Sequence, residues 1–176
     1  MADTGWLTFA ANTGPWTSGG NMITSNDGYA TETAENQKHI LSNWGASIPA
    51  GQQIDGIEAK YEIKTICSWS NDVTLELSWD GGTSWTAQKK FSGATPVSDT
   101  IYTVGGAADA WGYGSWTIAI INSTTLFKAR IDSGTMKLPA CLPGQSAEIY
   151  CDMVQVKVYY SLASVGGIIT KQTWTP

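Results

Sequence analysis

Hydrophobic and polar residues alternate with a period of two along several stretches of this chain. The clearest run begins at Ile57: Ile57, Ala59, Tyr61, Ile63 and Thr65 share one face, and Glu58, Lys60, Glu62 and Lys64 share the other. Successive strand side chains point to opposite faces, so this pattern predicts a half-buried antiparallel strand with its charges in solvent. The stretch from Asp72 to Trp79 repeats it, with Val73, Leu75 and Leu77 inward and Thr74, Glu76 and Ser78 outward. Residues 83–91 return as its hairpin partner across Asp80-Gly81-Gly82, where glycine supplies the positive φ of a tight turn. Further strands are predicted over 100–104, 115–121, 125–131 and 148–162. In the 125–131 strand, Phe127, Ala129 and Ile131 oppose Leu126, Lys128 and Arg130. In the 148–162 strand, Ile149, Cys151, Met153, Gln155, Lys157 and Tyr159 are expected on one face. Tyr150, Val154, Val156, Val158 and Tyr160 are expected on the other, with Asp152 breaking the pattern.

Between these runs lie turn residues: Gly14-Pro15, Gly19-Gly20, the stretch Ser25–Thr31, and a loop over 133–147 that holds Pro139 and Pro143. Residues 32–39 are polar and read as a short helix or a loop, and no long helical period occurs. Seven or eight short strands so punctuated predict an all-β fold, an antiparallel, jelly-roll-like β-sandwich, with a closed barrel as the alternative. The expected division is an N-terminal arm over 1–19, a sandwich domain over 20–162, and a C-terminal tail over 163–176. Trp6, Phe9 and Trp16 are spaced through the arm, and Ile168, Ile169 and Trp174 through the tail. The tail is either a frayed end or a segment that docks on a neighbouring subunit.

Composition narrows the function. The 176 residues suffice for one domain with its own core, and 42% are apolar. Only 14% are charged, so the surface is built largely from Ser, Thr, Asn, Gln and Gly, which suits a protein packed against others. With a net charge of -5, one arginine (Arg130) and scattered lysines, the chain lacks the cationic cluster that nucleic acid requires. No apolar run approaches a membrane span, and residues 1–9 carry no leader pattern, so no membrane contact is expected. The three cysteines, Cys67, Cys141 and Cys151, form no metal-binding spacing and read as small buried hydrophobes; Cys67 and Cys151 pair only if their strands are neighbours.

Catalytic chemistry finds little support. His39 is the sole histidine, and neither a nucleophile elbow nor a phosphate loop occurs. Glu58, Glu62 and Glu76 read as solvated strand faces; Asp109 and Asp132, near loops, are the carboxylates to test for glycan hydrolysis or lysis. Calcium would have to use Asp27, Asp72, Asp80 or Asp109, without the spacing of a dedicated loop. Nine tryptophans are many, and Trp69, Trp79, Trp85, Trp111 and Trp116 flank loops. Their ordinary role is packing, and the alternative is a platform on which sugars stack. Ser78, Asp80, Gly82 and Trp85 fit the S-x-D-x-G-x-[ST]-W pattern that resembles the Asp-box of sialidases. It is a folding device: Asp accepts turn amides and Trp packs under the hairpin. One copy and one arginine do not make a sialidase.

Several segments together resemble a family of β-sandwich structural proteins of tailed bacteriophages and prophages. They are residues 26–31, 48–62, the loop 102–112 with its D-x-W-G turn, 126–131, and the closing strand 152–160. The resemblance implies a non-enzymatic virion component, a capsid decoration or cement protein or a tail or fibre module, made in the host cytoplasm without a signal peptide. It implies no cofactor and no metal. Partners would be other virion proteins, the chain itself as a homo-oligomer, and a host glycan. The expected contact residues are Trp6, Trp16, Ile168, Ile169 and Trp174 in the terminal segments and Trp111 and Tyr113 in the loop. The alternative is a carbohydrate-binding module of a host-recognition appendage.

Overall fold

The run beginning at Ile57 lies in one of the two longest strands of the computed structural model, which describes residues 1–66, 73–91, 95–135 and 148–164. That strand, β5 (Gln52–Thr65), pairs with β10 (Ile149–Leu162) over almost its whole length and with β8 (Thr100–Gly105) on its other side. β1 (Ala2–Asp3) and β3 (Ala30–Glu32) pair with opposite ends of β10 and complete a five-stranded antiparallel sheet A. Sheet B has the order β2 (Ala11–Thr13), β4 (Lys38–Ser42), β9 (Lys128–Asp132), β6 (Thr74–Ser78), β7 (Lys89–Lys90). Two separate sheets make this a sandwich and not a closed barrel.

The core is the sum of the inward faces. Ile57, Ala59, Tyr61 and Ile63 of β5 meet Leu75 and Leu77 of β6 and Ala129 and Ile131 of β9, all fully buried. The alternation expected for β5, β6 and β9 gives these inward positions. β10 departs from its expected faces. A bulge at Asp152 shifts the register between Cys151 and Met153, so Ile149 and Cys151 join Val154, Val156 and Val158 in the core. Each buried valine contributes about 1.5–3 kcal/mol. Asp152, only 1% exposed, turns its Oδ2 to the amides of Asn26 (2.8 Å) and Asp27 (2.9 Å) and so pins the 24–28 turn.

Residues 1–19 are built onto the sandwich: β1 extends sheet A, Leu7 bridges Val156, and β2 extends sheet B. Two further expectations are corrected. Residues 115–121 are not a strand. Thr117 caps α1 (Ile118–Ile121) by accepting the Ile120 amide at 3.2 Å, and Trp116 and Ile121 turn into the core. Residues 38–42, read partly as loop, form β4, whose inward His39 and Leu41 are buried. Cys151 is a buried free thiol, and a pairing with Cys67 lies outside the described residues. No helix among the described residues is long and apolar enough to cross a membrane.

His39 gives the fold a pH dependence. Its ring packs against Gly14 and Gly19, where a Cβ would overlap it; Nε2 lies 3.0 Å from Asn12 Oδ1, and the buried Nδ1 has no partner. Burial holds the imidazole below its ordinary pKa, and the Glu32 carboxylate only partly opposes this. The unfolded chain therefore takes up a proton first, and stability falls as pH drops through about 6.5 toward the lowered folded value. Urea midpoints are expected to decline between pH 7 and pH 5, approximate limits set by the ordinary histidine pKa. His39→Gln should flatten that decline, and an equal slope in both proteins would refute the assignment.

Candidate functional site

The outward face of sheet B carries an organised row of polar side chains. Register places Thr74 opposite Asp132, Glu76 opposite Arg130, and Ser78 opposite Lys128. The alternation that sends Leu75 and Leu77 into the core sends these residues outward. They are not the solvated row expected from sequence, for Glu76 is 5% exposed. Arg130 donates to it twice, Nε to Oε2 at 2.5 Å and Nη2 to Oε1 at 2.8 Å. Trp85 lies against the guanidinium, whose carbon is 4.2 Å from the ring centre. The pair is thus shielded from water by an indole that itself remains half-buried.

The hairpin fixes that indole. Ser78 Oγ accepts the Gly82 amide at 2.8 Å and donates to Asp80 Oδ1 at 3.0 Å, and Asp80 Oδ1 accepts the Ser84 amide at 2.8 Å. The Ser84 amide, first among several donors, holds the Asp80 carboxyl below its usual range. Gly81 and Gly82 take φ of 78° and 97°. Trp85 Nε1 donates to Gly82 O at 3.0 Å, which sets the plane of the ring. All of these bonds are local, so the platform is preformed.

Along the strands from Trp85, the same face ends in a polar pocket lined by Asn36, Thr74, Gln88, Asp132, Gly134 and Thr135. Ser133 assembles it: its Oγ donates to Ala34 O at 2.8 Å and accepts the Gln37 amide at 2.9 Å, while the Asn36 amide donates to Gly134 O at 2.8 Å. These bonds hold the β3–β4 turn over the end of β9.

The residues expected at a contact surface are scattered. Trp16 and Trp111 are buried in the core. Trp16 Nε1 donates to Gln37 O at 3.0 Å, and Trp111 Nε1 donates to Ile57 O at 2.7 Å, so both indoles close the interior. The Lys60 and Lys157 ammoniums both pack on the Trp6 ring, 4.4 and 4.2 Å from its centre. Tyr113 stacks on Trp79 at 3.9 Å, with Trp116 edge-on to both. Ile168, Ile169, Trp174, Trp69 and Asp72 lie outside the described residues.

The loop carboxylates each make contacts that hold the fold. Asp109 accepts the Trp111 amide and pairs with Lys89 at 2.8 Å. Burial raises its carboxyl pKa, but these two contacts outweigh it and hold the group below its ordinary value. Asp132 accepts the Gly134 amide at 2.8 Å. Asp27 accepts the Tyr29 hydroxyl at 3.0 Å. Among the described residues no three His, Cys, Asp or Glu side chains cluster closely enough to hold a metal ion.

Sequence reading missed the joining of Glu76, Arg130 and Trp85. A lone arginine on the polar face of one strand and a glutamate on that of another are the available signal, but only the register makes them neighbours.

No family model matches the chain, and no curated protein matches it. Solved structures align with most of the chain at low sequence identity. The N-terminal cellulose-binding domain of Cellulomonas fimi β-1,4-glucanase C is 12% identical, with TM-score 0.41, over 91% of this chain and 90% of that one. A carbohydrate-binding module of Cellvibrio mixtus lichenase 5A, in complex with cellotriose, is 10% identical, with TM-score 0.37, over 88% and 97%. The enzymatically active domain of tailspike protein 4 from Bacteriophage CBA120 is 10% identical, with TM-score 0.24, over 88% of this chain and 20% of that one.

Proposed function

We propose that this chain is a non-catalytic carbohydrate-binding domain whose glycan lies along the outward face of sheet B. The observation that carries this reading is the Trp85 platform: a half-buried indole fixed by its own hairpin, backed by Arg130, at the head of a row of ordered polar side chains. Sugars present both apolar C–H faces and hydroxyls, and an aromatic plane beside convergent polar groups complements both. The Arg130–Glu76 pair is internally neutralised, so the platform suits a neutral sugar better than an anion. The phage-family resemblance favours a host-recognition appendage as the setting for such a domain; contact with other virion proteins and self-association belong to the same proposal.

The test is titration of tryptophan fluorescence and heat with cellotriose and a panel of purified bacterial surface polysaccharides. At least one is expected to bind saturably. Trp85→Ala is expected to weaken that binding about tenfold or more, as loss of a central aromatic anchor does. Trp85→Phe should keep most of it, and Trp6→Ala should leave it unchanged. Binding that survives Trp85→Ala, or no binding across the panel, would sink the reading.

A further inference from the structure

The pocket at the far end of this face has a property that packing does not explain. Its floor is Thr74, 4% exposed, and Asp132, 3% exposed, cross-strand partners on β6 and β9, together with buried Gly134. Its rim is the exposed Asn36, Gln88 and Thr135. Thr74 Oγ1 is buried and has no hydrogen-bond partner. A buried hydroxyl left unsatisfied costs about 1–3 kcal/mol, and valine would fill the same β-branched position in a strand without that cost. Such an exception calls for a ligand or solvent that completes the bond.

The other groups define what fits. Asp132 spends Oδ1 on the Gly134 amide, while Oδ2 stands 3.7 Å from Lys38 Nζ, an ion pair outside hydrogen-bond reach that leaves this oxygen able to accept. The carboxamides at the rim each offer donors and an acceptor. The space is about 120 Å³, room for several waters or a group of a few heavy atoms. Among the described residues its lining holds no cationic, aromatic or large aliphatic side chain, and the Lys38 ammonium beside it is paired with Asp132, so the described lining suits hydrogen-bonding groups better than an anion or an apolar group. A carboxylate oxygen, a hydroxyl and two carboxamides converge instead on groups that both donate and accept.

We propose that this pocket takes adjacent hydroxyls of a neutral sugar, with Thr74 and Asp132 as the floor contacts and Asn36 and Gln88 as the rim. The proposal deepens the carbohydrate-binding reading and rests on it. Thr74 stands two residues from Glu76 along β6, about 7 Å at the strand rise, so one oligosaccharide can reach from the Trp85 platform into the pocket.

The test uses the full chain labelled with ¹⁵N and titrated with glucose, galactose, mannose and cellotriose. The expected result is shifts at the Gly134 and Thr135 amides and the Asn36 carboxamide together with the Trp85 indole N–H. Thr74→Val is expected to keep or raise the urea midpoint, since it removes an unsatisfied hydroxyl, and to weaken sugar binding at least fivefold. A variant that is equally stable and binds equally well overturns the pocket and leaves it holding only water. Shifts at Trp85 alone overturn the pocket and keep the platform. Shifts at the pocket amides alone, lost in Thr74→Val, support the pocket and remove the platform. No shift at either place with any of these sugars or with the polysaccharide panel rejects both.

Discussion

Gly105→Ala should destabilise the domain by about 3 kcal/mol or more, a large part of the 5–15 kcal/mol typical of a domain. Gly105 ends β8 with φ of 80°, a region where an L side chain is itself unfavourable. A Cβ there would overlap the carbonyl oxygen of Ile57 and sit 2.7 Å from Trp111 Nε1. These two groups are bonded to each other at 2.7 Å, and Ile57 O also accepts the Gly106 amide at 3.0 Å. Neither can withdraw: one belongs to the backbone of β5, and the other to an indole enclosed by the core. Overpacking of this kind adds about 1–3 kcal/mol to the conformational cost. Gly106 is the control, since it has ordinary φ and a Cβ added to it would meet nothing within 4 Å. Equilibrium urea unfolding should separate the two variants clearly; a Gly105→Ala loss below about 1 kcal/mol, small for this mechanism, would show that the loop yields.

Removing the arginine of the outward pair should be comparably damaging. Arg130→Ala leaves Glu76 as a buried carboxylate beneath Trp85 with both hydrogen bonds gone. Breaking one side of a buried pair typically costs about 3–5 kcal/mol, mostly because of the charge left behind. The double variant Glu76→Leu, Arg130→Met removes that charge and should recover most of the loss. A double-mutant cycle by urea denaturation measures this directly. If the double variant is as unstable as Arg130→Ala alone, packing of the guanidinium under the indole matters more than charge, and the account given for the pair fails.

Much of the architecture was legible because period-two burial leaves a strong trace. Phe127, Ala129 and Ile131 are all buried, as are the inward residues of β5 and β6. The trace fails where geometry changes phase without a change in composition. At Asp152 one extra residue flips the faces of β10, and the sequence shows only a misplaced acid. At 115–121 the apolar alternation is compatible with a strand, and a single cap at Thr117 decides for a helical turn. The candidate site was harder to see. Its hairpin is local and visible as a motif, but Arg130 meets Trp85 only through strand register. The pocket draws Asn36, Thr74, Gln88 and Asp132 from four separated segments. Place in the chain also misled: Trp16 in the N-terminal segment and Trp111 in the loop read as contact residues, but their indole N–H groups find carbonyls inside the fold.

β10 bonds to three of the other four strands of sheet A, yet it is the last strand in chain order among the described residues. A nascent chain therefore carries β1, β3 and most of β5 through synthesis without the partner that joins them, whereas every strand of sheet B has already been made. The two halves of the sandwich come due at different times. Until Ile149 and the residues after it emerge, the inner face of β5 has no completed sheet around it, and that interval is when a chaperone or another chain's strand can compete for it.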